Sequence, residues 1–556
     1  MVEWWKRSII YQIYPRSFND TTGNGIGDIQ GIIEKLDYIK SLNCDAIWLC
    51  PIYPSPQKDF GYDVSDYTGI NPEYGSLEDF DQLVKELHQR DMKLIMDFVP
   101  NHTSDQHFWF QEAMKSRDNP YRDYYIWKDP APDGGYPNNW ESQFGGPGWS
   151  YHEPTGQYYF HQFVPEQPEV NYENPKVLDA MKEWMRLWYK RGVDGLRLDT
   201  CDLYKKDQSF VDETIREDWD EAAGRPSWEK WQWTKLHDVE GNLDIIKEFR
   251  SVADEFEERF MIGEIYKPFD RTMAYYGDIT NQLFHAPTNM TLVNNPFELS
   301  VIRPKILVYY SWFDNHKYSF AWPNWQFSNH DRLRMASRIP KKMRLALLML
   351  FTLRGTPITY YGDEIGMENG IIPFDKIQDP FALTSSGGLE HNRDKVRTPM
   401  QWNASEPNAG FSTAEPWLPV HPNYIEKNVE TLSKRSNSLL SYFRELTQLR
   451  QETEALYSGS IKFHLIPEDL EDYLFVYSRM SRNEETGSEV VFYIIQNFSE
   501  DTLQLNLQKL LDTDKNKLKL IFTSSLGHIE SSSIPNEIEG NTGWILTTED
   551  FVSALN

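Results

Sequence analysis

Charged side chains stand at the ends of several short apolar segments of this sequence. Arg197 and Asp199 end the segment "DGLRLD", and Glu264 ends "FMIGE". His330 and Asp331 end "FSNHD" in the same way. A single aspartate at such a place is usually a helix cap or a turn residue. Carboxylates that meet at one place repel and desolvate each other, so a set of them on separate segments indicates acid–base chemistry.

Two carboxyl groups in different environments are what a retaining glycosidase needs. One attacks the anomeric carbon, and the other protonates the leaving oxygen and then activates water. Arg197 is one two-residue step from Asp199 and is expected to keep it ionised as the nucleophile. Glu264 has no cationic neighbour in its own segment, so we expect a raised pKa and the acid and base roles. Asp331 is left to bind sugar hydroxyls and stabilise developing positive charge.

An alternation of strand-like and helix-like segments positions these side chains. We predict helices over residues 29–42, 77–90, 176–191 and 341–354, and strands at "SIIYQIYP", "DAIWLCP", "KLIMDFVPN", "GVDGLRLD", "FMIGE", "WQFSN" and "TPITYYG". A count of about eight strands favours an α/β fold of the (β/α)₈ TIM-barrel type.

Side chains on a barrel strand alternate between the interior and the helix layer. Leu196 and Leu198 are therefore expected to face the helices, while Arg197 and Asp199 face the axis at the C-terminal mouth, where barrel active sites are built. Asp97 and His102, which end the third strand, are expected at the same mouth, as are Glu264, His330 and Asp331.

The alternation is interrupted once and then ends. Residues 102–172 are rich in Pro, Gly, Trp and Tyr, and we interpret them as a subdomain inserted after strand 3. The barrel then comprises residues 1–101 and 173–456. Residues 457–556 contain short alternating segments such as "DYLFVYSRM" and "EVVFYIIQNF". This change of period predicts a C-terminal β-sandwich.

Composition restricts the partners. The 556 residues carry a formal net charge of −28, which argues against nucleic acid and anionic membranes, since clustered Lys and Arg bind both. Cys44, Cys50 and Cys201 indicate core packing and no disulfide framework. No run of about 18 uncharged apolar residues is present. We expect a cytoplasmic monomer or homodimer that binds a small molecule.

The motifs, taken together and in order, resemble the α-amylase superfamily (glycoside hydrolase family 13), in its α-glucosidase and oligo-1,6-glucosidase branch. They cover nearly the whole barrel and are "IIYQIYPRSFND", "DFVPNHTS", "DGLRLDT", "IGEIY", "FSNHD", "GTPITYYGDEIGM", "RTPMQWN" and "GFSTAEPWLPV". The resemblance implies an oligosaccharide substrate, with Asp199 as nucleophile, Glu264 as acid and base, and Asp331 as transition-state stabiliser. These roles agree with those inferred above from the residues.

The resemblance also implies a pocket for one terminal glucose. The residues implied to contact this sugar or line its pocket are Asp59, Tyr62, His102, Phe144, Phe163, Arg197, His330 and Arg397. Asp59 and Arg397 would bind the terminal hydroxyls and block a longer chain, which gives exo-cleavage. Tyr62 would supply a stacking face. Phe144 and Phe163 fit ordinary core packing nearly as well.

The residue after the nucleophile bears on linkage preference in this branch, where valine accompanies α-1,6 activity. Thr200 stands there and resembles the α-1,4-preferring enzymes. We therefore expect an α-glucosidase that acts on maltose and short α-glucosides. The alternatives are an oligo-1,6-glucosidase (isomaltase), a glucosyl-transferring or sucrose-isomerising enzyme and, more remotely, a non-catalytic transporter-associated homologue.

The segment "DTTGNGIGD" places oxygen-bearing side chains at alternating positions, as in the opening of a calcium-binding loop. The resemblance implies a structural Ca²⁺ or Mg²⁺ here, held by Asp20, Thr22, Asn24, Asp28 and the Ile26 carbonyl. Thr22 and Asn24 replace the usual Asn and Asp, which removes one negative charge. A metal and a bare hydrogen-bonded turn both remain open, and we expect no cofactor in the chemistry itself.

Overall fold

The computed structural model describes residues 2–220, 229–385, 388–405, 407–482, 487, 489–531 and 533–548. Among these residues no helix is both long enough and apolar enough for a membrane crossing. Cys44, Cys50 and Cys201 are buried free thiols, as their interpretation as core residues requires. The location in the cell and the oligomeric state stay predictions.

Eight parallel strands form the sheet that carries the predicted site. In chain order they are β1 (Ile10–Ile13), β2 (Ala46–Leu49), β3 (Lys93–Phe98), β7 (Gly195–Leu198), β8 (Phe260–Gly263), β9 (Ala286–Pro287), β10 (Asn324–Gln326) and β11 (Thr356–Tyr360). They pair in the order β10-β11-β1-β2-β3-β7-β8-β9. The predicted (β/α)₈ barrel is confirmed. The two-residue strand β9 is absent from the prediction, because so short a segment has no periodicity to detect.

The seam between β9 and β10 is closed by a side chain. Asn324 is fully buried, and its Nδ2 donates to the carbonyl of Pro287 at 2.7 Å. Its Oδ1 accepts from the amide of Asn289 at 2.9 Å. One amide group thus supplies both a donor and an acceptor where the strand ladder has none.

The predicted alternation of side chains is confirmed. Leu196 and Leu198 belong to the large core that joins the sheet to the helices. Trp48, Ile95 and Ile262 belong to a separate core inside the barrel. Because burial of an apolar side chain stabilises the fold by about 1.5–3 kcal/mol, a one-residue slip of any strand is strongly disfavoured. Charged residues at the strand ends are therefore held at the mouth.

The helices lie mostly outside the barrel sheet, and the last one packs in the C-terminal core. They are α1 (Trp4–Arg7), α2 (Ile29–Glu34), α3 (Leu36–Lys40), α4 (Leu77–His88), α5 (Phe108–Ala113), α6 (Pro175–Lys190), α7 (Asn242–Ala253), α8 (Phe269–Ala274), α9 (Thr291–Asn294), α10 (Leu299–Phe313), α11 (Met335–Arg338), α12 (Met343–Thr352), α13 (Pro380–Thr384), α14 (Val429–Ser433), α15 (Leu439–Glu452), α16 (Glu454–Tyr457) and α17 (Leu507–Leu511). The single helix predicted over 29–42 is wrong in one respect, since it breaks at Lys35 into α2 and α3. Helix α4 begins at a reciprocal Ser76–Asp79 cap, which fixes its first turn.

Three smaller sheets lie outside the barrel in the part of the chain that the structure describes. The interrupted segment forms an antiparallel sheet of β4 (Trp127–Lys128), β5 (Trp149–His152) and β6 (Gln157–Phe160). The C-terminal region forms a six-stranded sheet of β12 (Ser460–Phe463), β13 (Leu474–Arg482), β14 (Glu489–Asn497), β16 (Leu518–Thr523), β17 (Gly527–Ser531) and β19 (Gly543–Thr548), with a two-stranded sheet of β15 (Leu503–Gln504) and β18 (Glu537–Ile538). One face of the larger sheet packs on the barrel helices, and the other shares a core with Leu505 and Ile538.

Candidate active site

Arg197 is the centre of a buried charge cluster at the mouth of the barrel. Its Nη1 lies 3.0 Å from Oδ1 of Asp97 and 2.8 Å from Oδ1 of Asp199. Its Nη2 lies 2.6 Å from Oε1 of Glu264. These residues come from the adjacent strands β3, β7 and β8, as strand-end placement predicts.

The position of Glu264 corrects one expectation. No cation stands near it within its own strand, but Arg197 reaches it from the neighbouring strand. The two carboxylates therefore share one guanidinium, and Arg197 does not distinguish the nucleophile from the acid. Burial raises the pKa of Asp199 well above its ordinary range, and the charge of Glu264 raises it further against the effect of Arg197. The substrate-free site thus favours the protonated form of Asp199, contrary to the expectation that Arg197 keeps it ionised.

Asp97 completes the negative charge around Arg197. Burial raises its pKa to about 7, although Arg197 opposes the shift. Its Oδ2 accepts a hydrogen bond from the Tyr62 hydroxyl at 3.0 Å. Asp97 therefore fixes both Arg197 and the Tyr62 ring from below the site.

Thr200 joins the two catalytic candidates. Its amide donates to Oε2 of Glu264 at 3.1 Å, and its hydroxyl donates to Oδ2 of Asp199 at 3.3 Å. Its φ is +44°, which is the left-handed region that β-branched residues rarely adopt. This strained backbone turns the amide toward Glu264, so the residue after Asp199 also orients the other acid.

Asp331 is the most strongly ionised carboxylate at the mouth. Burial raises its pKa, but the neighbouring His330, Arg397 and Arg393 together lower it well below the ordinary range. Arg397 Nη2 lies 2.7 Å from Oδ1 of Asp331, and Arg393 Nη1 lies 3.5 Å from the same oxygen. A carboxylate held ionised in this way suits the stabilisation of positive charge.

His330 and Tyr62 are hydrogen-bonded to each other beside this carboxylate. Their rings are 5.6 Å apart and nearly parallel, and the Tyr62 hydroxyl lies 2.6 Å from Nε2 of His330. Gln12 Nε2 lies 2.8 Å from Nδ1. Burial lowers the pKa of His330 to about 3, so the ring is neutral near neutral pH. The two rings are therefore joined at their edges by the hydrogen bond between them, which fixes the orientation of both.

The closed end of the pocket differs from the expected arrangement. Asp59 pairs with Arg393, whose Nη2 lies 2.7 Å from Oδ1 of Asp59 and from Oδ1 of Asp379. Arg397, the expected partner of Asp59, bonds instead to Asp331 and to the carbonyl of His330. The local sequence explains why Arg393 and not Arg397 pairs with Asp59. The segment "NRDKVR" contains two arginines four residues apart, and one turn of 3₁₀ helix over Arg393–Val396 directs them to different carboxylates.

The remaining pocket residues come from the loop after β3 and from the inserted segment. His102 Nε2 lies 3.1 Å from the Tyr62 carbonyl, and burial lowers its pKa to about 3. Gln167 lies 3.1 Å from His102 and donates to Asp59 at 3.3 Å. No sequence pattern singled out Gln167, because it stands in an irregular segment between aromatic residues.

Phe144 and Phe163 line the same pocket in the structure. Phe163 lies 5.1 Å from the His102 ring and packs edge-on against Phe144 at 5.4 Å. The Arg393 guanidinium lies 5.0 Å from the Phe144 ring. Both rings therefore pack against groups of the pocket rather than in a distant core.

The loop at residues 20–28 is held together by its own hydrogen bonds. Asp20 accepts from the amides of Thr22, Gly23 and Gly25, and Asp28 accepts from the amides of Thr21 and Gly31. The Asn24 oxygen accepts from the Ile26 amide. These side-chain oxygens, which a cation would need, are already engaged with donors, so the residues fit a hydrogen-bonded turn better than a metal site. A structural metal here stays an untested prediction.

Comparison with known proteins identifies the family. The profile of the α-amylase catalytic domain matches residues 12–459. The chain belongs to the α-amylase family. An α-glucosidase of Culex pipiens is 40% identical over 459 residues, which cover 81% of this chain and 75% of that protein. An oligo-1,6-glucosidase of Parageobacillus thermoglucosidasius is 37% identical over 535 residues, which cover 90% and 91%.

A solved structure adds a third relative of this α-amylase family member. The trehalulose synthase of Pseudomonas mesoacidophila MX-45 superposes with a TM-score of 0.83 at 32% identity and covers 99% of this chain and 100% of that one. The family and its named relatives show that the chain is a glycoside hydrolase acting on a small glycoside. The expected class of enzyme is thereby confirmed.

Proposed function

We propose that this glycoside hydrolase is a retaining, exo-acting α-glucosidase that releases glucose from the non-reducing end of maltose and short α-glucosides. The supporting observation is the single guanidinium of Arg197 between Asp199 and Glu264. A retaining reaction needs its carboxyl groups about 5 Å apart, and two side chains on one guanidinium group are held near that spacing.

The pocket residues account for the sequence of steps. Asp199 attacks the anomeric carbon while Glu264 gives its proton to the departing oxygen. Glu264 then takes a proton from water, and the resulting hydroxide displaces Asp199 from the sugar. Asp331, kept ionised by Arg397, stabilises the positive charge that develops on the ring in both steps.

The closed end of the pocket supports exo-cleavage. Arg393, Asp59 and Gln167 present charged and amide groups to the sugar hydroxyls farthest from the acids. The Phe144 ring packs against the Arg393 guanidinium at this end, 5.0 Å from it. Such a pocket accepts one terminal glucose and rejects an internal one.

Product analysis tests this proposal. With nitrophenyl α-glucoside, whose only sugar is the glucose that is released, proton NMR should show α-glucose as the first anomer, because two displacements retain configuration. Asp199→Asn should abolish turnover of maltose and of nitrophenyl α-glucoside alike. First release of β-glucose, or full turnover by Asp199→Asn, would refute the mechanism. Rates on maltose and isomaltose test the α-1,4 preference expected from Thr200 against the isomaltase alternative.

Glucosyl transfer is the second candidate, favoured by the similarity to a trehalulose synthase. The same covalent intermediate would then be captured by a sugar hydroxyl instead of water. Chromatography of products at high maltose or sucrose separates the two candidates, since transfer yields new disaccharides or trisaccharides and hydrolysis yields monosaccharides alone.

A further inference from the structure

Arg332, the residue after Asp331, contacts a different part of the site from its neighbour. A tight turn pairs Asn329 with Arg332, and the Asn329 side chain accepts from the Asp331 amide at 2.9 Å. Asp331 is directed at Arg397 in the glucose pocket. The Arg332 guanidinium instead lies over the Tyr266 ring, 5.0 Å from its centroid. Asp331 and Arg332 therefore contact different groups at the site.

Tyr266 lies on the side from which the leaving group departs. It follows Glu264 by two residues in the loop after β8. Burial raises the pKa of the Tyr266 hydroxyl, and the charge of Glu264 raises it further, as expected for a ring beside the acid. Since Glu264 protonates the leaving oxygen in the proposed reaction, the leaving sugar must lie next to this loop.

Arg332 has free hydrogen-bond donors. Its side chain is exposed and forms no hydrogen bond or ion pair within the part of the chain that the structure describes. Two nearby cations, in contrast, are ion-paired. Lys267 lies 2.8 Å from Asp202, and Arg271 pairs with Asp238. An unpaired guanidinium beside the acid presents several N–H donors in a fixed plane to a ligand.

We propose that Arg332, held over the Tyr266 ring, binds the hydroxyl groups of the leaving sugar and makes the enzyme prefer leaving groups that are themselves sugars. The inference rests on the proposed α-glucosidase activity and adds the group that recognises the second half of the substrate. Stacking on Tyr266 restricts the guanidinium in advance, which reduces the conformational entropy lost on binding.

Two substrates with the same glucose and different leaving groups test this proposal. The leaving group of maltose is a second glucose. The leaving group of α-glucosyl fluoride is a fluoride ion, which has no hydroxyls for Arg332 to bind. We expect Arg332→Gln to lower kcat/KM for maltose about tenfold and to leave α-glucosyl fluoride unchanged within about twofold, since hydrogen bonds to a charged group contribute about 1.5 kcal/mol or more.

Further variants separate recognition from folding. Arg332→Lys keeps the charge without the planar donors and should fall between wild type and Arg332→Gln on maltose. Tyr266→Ala should resemble Arg332→Gln, and Tyr266→Phe, which keeps the ring, should resemble wild type. Lys341→Gln removes an exposed cation whose side chain is 81% accessible and pairs with Glu500, so it serves as the charge-matched control.

The outcomes are distinct. An equal loss on maltose and α-glucosyl fluoride, or no loss on maltose, overturns the role of Arg332 in recognising the leaving sugar. A wild-type protein that cleaves neither substrate contradicts the proposed function itself, and that result does not depend on any variant. Selective loss on maltose supports both.

Discussion

The two ends of the active site are built differently. At the glucose end, Arg397 is buried and the Arg393 side chain is 12% accessible, and each is paired with carboxylates. At the leaving-group end, Arg332 is exposed and has no such partner among the described residues. Buried, mutually paired charges fix one geometry and accept one sugar, whereas an exposed group adapts to several. In the proposed reaction, the glucose end binds the sugar that all substrates share. The leaving-group end binds the part that differs between substrates.

After the loss of turnover expected for Asp199→Asn, the largest effect should come from Glu264→Gln, which removes the proposed proton donor between the two ends. We expect kcat/KM for maltose to fall by about 10²–10⁴-fold, the range for loss of general acid–base catalysis. The loss should be smaller for α-glucosyl fluoride, whose leaving group needs less protonation. Steady-state rates on both substrates measure this, and identical losses would argue against Glu264 as the acid.

A loss common to all substrates should follow Arg393→Gln at the glucose end. Breaking a buried charge pair costs about 2–5 kcal/mol, so kcat/KM should fall at least about 30-fold. Because every α-glucoside carries the same terminal glucose, maltose and α-glucosyl fluoride should lose equally. A loss confined to maltose would show that the two ends are not separate. Arg332→Gln is the matched comparison.

A smaller effect is expected from Thr200→Val, which keeps the side-chain volume and removes the hydroxyl bonded to Asp199. Loss of one such hydrogen bond costs about 1 kcal/mol, which lowers kcat/KM roughly fivefold. We also expect the ratio of isomaltose to maltose hydrolysis to rise. Thr200→Ser, which retains the hydroxyl, is the control, and it should keep the wild-type ratio if the hydroxyl is responsible.

A displacement of the pH profile should accompany the loss of rate in Asp97→Asn, which also breaks the buried Arg197–Asp97 pair. The charge of Asp97 contributes to the raised pKa of Asp199, so its removal should lower that pKa. Asp199 attacks only when ionised, and the acid limb of kcat/KM should therefore move to lower pH. An unchanged or upward-shifted limb would show that Asp97 acts on Arg197 alone. Profiles on α-glucosyl fluoride isolate this effect from the leaving group.

The sequence predicts that these charged residues meet at one place, because their placement depends on a short-range regularity. Alternation within a strand and polarity at its end are enough to bring Arg197, Asp199 and Glu264 to one mouth. Contacts across strands are not visible in this way. The approach of Arg197 to Glu264 depends on strand order and register, which periodicity within one segment does not encode.

The irregular parts of the pocket were predicted less well for the same physical reason. The sequence identifies Asp59 but indicates Arg397 instead of Arg393 as its partner. The segment that carries the two arginines has no period that fixes the direction of their side chains. Gln167 was missed entirely. Loops take their form from tertiary contacts, and these lie far apart in the chain.

The Asn324 side chain bridges β9 and β10, the two neighbouring barrel strands that have no ladder of backbone hydrogen bonds between them. Glu264 and Asp331 lie on opposite sides of that joint, whereas Asp199 and Glu264 stand on adjoining strands with a continuous ladder. A distortion of the barrel at this joint would change the separation of Glu264 and Asp331 and leave the spacing of Asp199 and Glu264 intact. The spacing on which the proposed retaining mechanism depends is thus set by a hydrogen-bonded strand ladder.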